Sequence, residues 1–511
     1  MHADIIIKNA KCLTMKNGDT SDWIAVHNGT ILALGMNTAY CELVSENTVI
    51  IDAGGNTVLP GFIDSHFHVV QTALNARRID LSGVHSFEEI GEMIHRAAAE
   101  KPGQSIIGMR LQVEQLKEKK FPDRLALDRY CNDVAVWINC LDYQVSMLNT
   151  YGLLYYKVPF NMEGVEKDGQ SVATGLFRGK ANAVLRTNIL DGITDKVRKE
   201  AVLDIIPGLL GTGITTVNAM EGGYMYSDKD ADFIYEYGSE FPVDMALFYQ
   251  SLDVEKIKRM NLKRIGGSFY VDGTMGARTA ALSFEYADRP GTMGSLRYTQ
   301  SELNEFVLEC YKNHLQLSLY TIGDRAIGAA LKAHEDALYQ TGITGLRHRL
   351  EHVELANAEH IRKAKEMGII FSMNPTYEAY WGGTDKMYRQ RLGDNYVKTN
   401  MFREIIDQGV CLTGGSDSDI TEYNPMIGIS AAVNHPVKQH QISVYEALEL
   451  YTCKAAYAIF AEKEKGTLEV GKTADIVMLD QDILSTPHDM LNQVKVIATI
   501  KSGDILYNTL G

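Results

Sequence analysis

Two histidines one residue apart, His66 and His68, end the apolar run Leu59-Pro-Gly-Phe-Ile-Asp-Ser-His-Phe-His-Val69. On a β-strand, side chains at i and i+2 share a face. The two imidazoles are therefore expected to project together, with Asp64 one step behind on the same side. Paired imidazoles on a rigid strand make half of a divalent-metal site. Farther along, His352 follows Arg349-Leu-Glu351 and Asp417 follows Gly414-Gly-Ser416, each where a strand is expected to end. Neutral imidazoles with a carboxylate are a normal zinc set, and an open position lets the metal activate water. Asp417 is suited both to touch the metal and to take the proton from that water. Asp272, Tyr320 and Asp324 are the other titratable residues expected at strand ends.

Residues of this kind need a scaffold that gathers strand ends. Short apolar runs at 105–111, 134–140, 214–218, 243–249, 268–272, 315–321, 347–353, 369–373 and 410–414 read as buried strands, with helices such as 301–313 and 326–340 between them. Ser86-Phe-Glu-Glu89 and Ser443-Val-Tyr-Glu446 have capping-box spacing, the second opening a long helix over 443–460. Repeated strand-then-helix units imply a parallel sheet, and about eight of them imply a closed (β/α)8 barrel, whose reactive groups gather where strands pass into loops. An open doubly wound sheet is the alternative, but no glycine-rich phosphate turn follows an early strand. Residues 145–195 break the alternation and read as an insertion. Strands at 4–15, 22–35 and 48–63 and at 473–480 and 494–507 suggest one β-sandwich assembled from both ends of the chain. Asn28-Gly29 gives a hairpin signal there. The expected layout is 1–58 and 465–511 for the sandwich and 59–464 for the barrel.

Composition narrows the function classes. The chain has 511 residues and a formal charge of −15, which argues against nucleic acid and anionic membranes as partners. No apolar run is long enough to span a bilayer, and Met1-His-Ala-Asp4 lacks the basic start of a secretion signal. The seven cysteines are dispersed without a C-x-x-C pair and read as reduced, buried thiols. A cytoplasmic protein with a small-molecule substrate is expected, with assembly into a homo-oligomer left open.

Several segments together carry a family resemblance. Pro60-Gly-Phe-Ile-Asp-Ser-His-Phe-His68, Asp272-Gly-Thr-Met-Gly-Ala-Arg-Thr-Ala280, Ile322-Gly-Asp-Arg-Ala326, His348-Arg-Leu-Glu-His352, Gly415-Ser-Asp417 and Gly466-Thr-Leu-Glu-Val-Gly-Lys-Thr-Ala-Asp475 resemble the amidohydrolase superfamily, in the branch that includes N-substituted formamide deformylase. The resemblance implies a metal-holding barrel and hydrolysis of C–N bonds in amides or related groups. His66, His68, His352 and Asp417 are the expected ligands of one zinc. Three positions depart from the pattern: Tyr320 stands where a His is usual, Ser268 where a Lys is frequent, and Gln144 where a further His is common. These departures remove the groups of a second metal and leave Tyr320 to donate to a developing oxyanion. Tyr377 and Trp381, in Pro375–Gly383, are candidate substrate walls. Arg278 could clamp a carboxylate, and Gln144 and Asp272 are further candidate substrate contacts. Ester or lactone hydrolysis, isomerisation or decarboxylation on the same scaffold, and a metal-free binding protein, are the competing readings.

Overall fold

The computed structural model describes residues 1–157, 159–223, 226–267 and 269–510. Eight strands form one sheet in chain order: β1 (Phe62–Phe67), β2 (Ile214–Glu221), β3 (Asp244–Tyr249), β4 (Arg264–Ile265), β5 (Gln316–Thr321), β6 (Arg349–His352), β7 (Ile370–Met373) and β8 (Leu412–Gly414). The first and last strands meet where β8 has already become loop. Asp417 N–H donates to the His66 carbonyl at 2.8 Å, and His68 N–H donates to the Ser418 carbonyl at 2.9 Å. The seam of the (β/α)8 barrel is thus closed by the backbone of the residues expected to hold metal. Strands β1, β2, β5, β6 and β7 are buried on both faces, as expected for a parallel sheet covered by helices.

Helices Gln300–Lys312, Asp324–Thr341 and Ala358–Met367 connect successive strands. Thr299 and Glu302 cap the first of these reciprocally, satisfying amides that have no partner inside the helix. The same box forms at Ser443 and Glu446. The long helix expected over 443–460 is instead two, Val444–Leu450 and Cys453–Ala458. At the break, the Thr452 hydroxyl donates to the Leu448 carbonyl at 2.7 Å, a local bond that competes with helix propagation.

Both chain ends build the β-sandwich. One sheet runs Thr30–Gly35, Trp23–His27, Ile5–Lys8, Val49–Asp52; the other runs Asp504–Asn508, Val496–Lys501, Ile476–Leu479, Thr57–Pro60, Lys11–Leu13, Thr20–Ser21. Ile5, Ile7 and Val26 from the first sheet share a buried core with Val58, Ile476 and Ile500 from the second. The Asn28-Gly29 hairpin turns with φ of 47° and 73°, the left-handed pair that a two-residue loop of this hand requires.

The chain divides into two compact units. One comprises residues 1–68, 205–220 and 234–511; the other comprises 69–204 and 221–233. The second has its own sheet, in the order Val165–Lys167, Ala173–Arg178, Val145–Leu148, Val136–Cys140, Ile106–Leu111, Ile79–Asp80. The runs at 105–111 and 134–140, read above as barrel strands, pair here. A short buried apolar run reads alike in any sheet, and only its partners decide which sheet it joins. Leu81, Ile90, Ile106, Val136, Ile138 and Met147 form that unit's core. The irregular stretch read as beginning near 145 is therefore part of a larger body that starts at Val69.

Among the described residues no helix is long and apolar enough to cross a membrane. All seven cysteines are free, and Cys12, Cys131, Cys140 and Cys310 are buried. Cys41 is exposed, while Cys411 and Cys453 are half-buried, so the expectation of uniformly buried thiols is corrected.

Candidate metal centre

Strand alternation does what the H-x-H spacing required. His66 and His68 leave the end of β1 with ring centroids 5.4 Å apart. Asp417 places Oδ1 3.3 Å from His66 Nε2 and 3.2 Å from His68 Nε2. His352, at the end of β6, sets its ring 4.8 Å from that of His66. Each imidazole has Nδ1 tied to an acceptor. His66 Nδ1 lies 2.8 Å from Glu351 Oε2, His68 Nδ1 lies 2.7 Å from the Met220 carbonyl, and His352 Nδ1 lies 2.7 Å from Asn374 Oδ1. An imidazole that donates from Nδ1 keeps a lone pair on Nε2. The His352 Nε2 is buried with no hydrogen-bond partner. A buried orphan nitrogen beside two imidazoles and a carboxylate is the donor set of a divalent cation. Among the described residues, His66, His68 and Asp417 are the group of His, Cys, Asp and Glu close enough to share an ion, their ligand atoms lying within 4.8 Å of one another.

The backbone holds these groups under tension. His352 and Asp417 have φ of 69° and 54°, left-handed values that cost a side-chain-bearing residue about 1–3 kcal/mol. Asp64, on the His66 face of β1, accepts from the His66 N–H at 3.0 Å and from the Ser416 N–H at 3.1 Å. It pins the loop carrying Asp417 to the strand carrying the histidines.

Burial disfavours charge here, and the neighbours decide which groups keep theirs. Burial works to raise the Asp417 carboxyl, but His66 and hydrogen bonds from His66 and His68 hold it far below the usual range, so it stays ionised. Burial works to lower His66, yet Asp417 and Glu351 outweigh it and raise the imidazole to about 9. Burial, aided by His66, pushes His352 down to about 4 and keeps it neutral. Glu351 resists burial because Arg349 and His66 flank it, and it falls to about 2.

A model described as the amidohydrolase family matches residues 49–507. The chain belongs to the amidohydrolase family. A Bacillus subtilis protein named as an amidohydrolase, YtcJ, is 25% identical over 96% of this chain and 97% of its own length. N-substituted formamide deformylase of Arthrobacter pascens is 24% identical over 99% of each chain. The crystal structure of a metal-dependent hydrolase from Pyrococcus furiosus superposes with a TM-score of 0.77 at 26% identity, covering 94% of this chain and all of the other.

In this amidohydrolase, the remaining expected residues separate into those at the cluster and those engaged elsewhere. Tyr320 stands edge-on to His352 with centroids 4.4 Å apart, and its hydroxyl donates to the Gly273 carbonyl over a long 3.3 Å. Burial lifts that phenol well above its ordinary range, which favours the protonated, donating form. Tyr377 lies parallel to His352 at 6.0 Å, and Trp381 packs edge-on to Tyr377 at 4.4 Å. Tyr377 also donates its hydroxyl to Asp417 Oδ2, a bond that a reading of it as an apolar wall missed.

Three of the suggested substrate contacts have other work in the structure. Arg278 is held by Asp288 at 3.0 and 2.7 Å. Its guanidinium is occupied by a structural ion pair and does not await a substrate carboxylate. Asp272 is buried and accepts from the N–H groups of Ala281, Ile322 and Gly323 at 2.8–3.1 Å. It organises two loops, and its oxygens are already taken. Gln144 belongs to the second unit, where its amide donates to the Asp142 carbonyl at 3.3 Å. Ser268 lies outside the described residues.

Glu351, Arg349 and Asn374 were not singled out from the sequence. Arg349 and Glu351 alternate with His352 along β6, and Asn374 directly follows β7. The signal for the first two was present: two opposite charges at i and i+2 on a strand too apolar to be exposed.

Proposed function

We propose that this protein hydrolyses a C–N bond in a small amide, an N-formyl or N-acyl amine, with one divalent cation, zinc, held by His66, His68, His352 and Asp417. The observation that carries the reading is the common tautomer. Three buried imidazoles each spend Nδ1 on an acceptor, so that the Nε2 atoms of His66 and His68 meet the ionised Asp417 carboxylate at 3.3 and 3.2 Å and that of His352 is buried without a partner. Membership of the amidohydrolase family and the likeness to N-substituted formamide deformylase support the choice of bond.

When bound, such an ion supplies Lewis acidity at neutral pH. The chain's own residues do the rest. Glu351, clamped by Arg349 at 2.8 and 2.9 Å, fixes the His66 ring. Asp417, ionised and set against the Nε2 atoms of His66 and His68, is suited to take the proton of the attacking water. Tyr320 is placed to exchange its weak bond to Gly273 for one to the developing oxyanion, a donor worth most where water is excluded. Tyr377 and Trp381 give the substituent on nitrogen an aromatic wall.

The test is elemental analysis of gently purified protein together with a screen of N-formyl and N-acyl amines against lactones. One equivalent of metal, loss of amide cleavage on chelation and recovery with zinc are expected. Cleavage confined to lactones would overturn the choice of bond. Protein that takes up no metal would overturn the mechanism and return the chain to a binding role.

A further inference from the structure

Tyr377 and Trp381 lie one turn apart on a helix of six residues, Thr376–Trp381, and so share a face. A helix of that length does not hold its own shape, and no side chain caps its first turn. Contacts from outside must therefore set where Tyr377 meets Asp417. Glu378, about 100° around the helix from Tyr377, supplies them.

Glu378 is buried, and its Oε1 is met by three donors. The Thr399 hydroxyl donates at 3.0 Å and the Asn400 side-chain amide at 2.7 Å, while His435 Nε2 lies 3.4 Å away. His435 Nδ1 accepts the Val437 N–H at 3.0 Å, so the neutral ring carries its proton on Nε2, toward Glu378. Burial works to raise the Glu378 carboxyl, but His435, Asn400 and Thr399 hold it below the ordinary carboxylate range. On its other side, a Cβ added at Gly382, which ends the helix, would overlap Glu378 Oε2.

The donors are fixed in turn. Asn400 gives its backbone N–H to the Glu354 carbonyl at 2.9 Å, and the side chains of Asn400 and Glu354 both hydrogen-bond the buried Tyr388 hydroxyl. The His435 ring is fully buried, with Phe402 and His440 edge-on to it at 5.6 and 5.2 Å. Glu354 lies two residues past His352. Glu378 thus ties the helix bearing Tyr377 to the loop that leaves β6.

We infer that Glu378 is a positioning residue: it fixes the Thr376–Trp381 helix so that Tyr377 reaches Asp417 and Trp381 walls the substrate. The inference rests on the hydrolase reading for its link to rate, and one arm of its test does not. Trp23 and Trp137 are 4% and 0% exposed whereas Trp381 is half-buried. Acrylamide quenching of the folded, metal-loaded protein therefore reports chiefly Trp381. Glu378→Gln keeps the size of the side chain but sets an amide against the donors. Its quenching constant should rise by about twofold as the helix loosens locally. On the N-formyl or N-acyl amine turned over best, kcat should fall by about tenfold or more, as for misplaced groups, with metal content unchanged. A residue serving stability alone would lower the melting temperature and move neither reading, which overturns the inference. So does a rise in quenching with kcat intact. Should Glu378→Gln fail to fold, His435→Leu, which removes a donor, is compared with His435→Gln, which keeps one. The Leu variant should quench more and turn over more slowly than the Gln variant, and equal behaviour overturns the inference. Wild type that cleaves no amide retires the hydrolase reading, and quenching alone then decides whether Glu378 fixes the helix.

Discussion

Each imidazole in the cluster has one nitrogen committed to the protein, and that commitment is what orients the other. Glu351→Gln removes the charge that anchors His66 Nδ1 and leaves Arg349 without its anionic partner. Metal affinity should fall by about 10–100-fold, the usual effect of losing an outer partner of a ligating His, measured by chelator competition. Asp417→Asn should fold normally, with a cooperative melting transition, while turnover drops by about 10²–10⁴ as for a lost proton acceptor. An unchanged rate would remove Asp417 from the chemistry. His66, His68, His352 and Asp417 were all legible as residues in the sequence, because ligand chemistry is written in residue type. Their partners were less so. The Met220 carbonyl carries no side-chain signal, and Glu351 looks like one more charge until its strand is known to be buried.

Strand ends and turns set the tolerances of the site. A Cβ added at Gly415 would lie 2.5 Å from the His66 amide nitrogen and 3.0 Å from Asp64 Oδ1. Both are fixed by the barrel seam, so Gly415→Ala should destabilise by about 1–3 kcal/mol and lower metal occupancy, read by chemical denaturation and elemental analysis. Elsewhere on the barrel, His334 of helix Asp324–Thr341 lies tilted against His348 with centroids 4.9 Å apart, and His348 stacks on Tyr311 at 4.3 Å. Burial pushes His334 down to about 3 and His348 well below the usual range. The Nδ1 of His348 accepts the Leu317 N–H at 3.0 Å, so protonation at that nitrogen breaks a bond. The unfolded chain takes up these protons first. The stability that neutral imidazoles contribute is full above about pH 6.5 and is lost as pH falls toward 3. Each contributes a slope of up to about 1.4 kcal/mol per pH unit within that window. Urea titrations at pH 7 and pH 5 should show the loss, and His334→Gln should reduce it. A slope identical to wild type would show that His334 is protonated in the folded state.

At the scale of the whole molecule, the two ends of the chain complete one another. Residues after 464 supply Ile476–Leu479, which pairs with Thr57–Pro60, and Val496–Lys501 beside it. They also supply Lys465 and Lys501, which surround Asp475 and reach Asp244 of β3. Ending the chain at 464 would uncover Ile7 and Val58 and strand Asp244. That protein should accumulate in the insoluble fraction or melt without a cooperative transition, whereas a soluble, sharply melting product would show that the sandwich is dispensable. Its two-ended origin could be read from short strands and hairpin signals at both termini. The second compact unit could not, because the runs at 106–111 and 136–140 are as apolar as barrel strands.

By itself the sequence determined the ligand types, the strand-and-helix rhythm that places them at strand ends, and the family they belong to. Those depend on residue chemistry and local periodicity, which are properties of short stretches. Tertiary structure decided which strands close the barrel, which acceptor ties down Nδ1 of each histidine, and that Arg278 and Asp272 are already bonded. Those outcomes depend on contacts between residues far apart in the chain, and only the packed fold brings such partners within bonding distance.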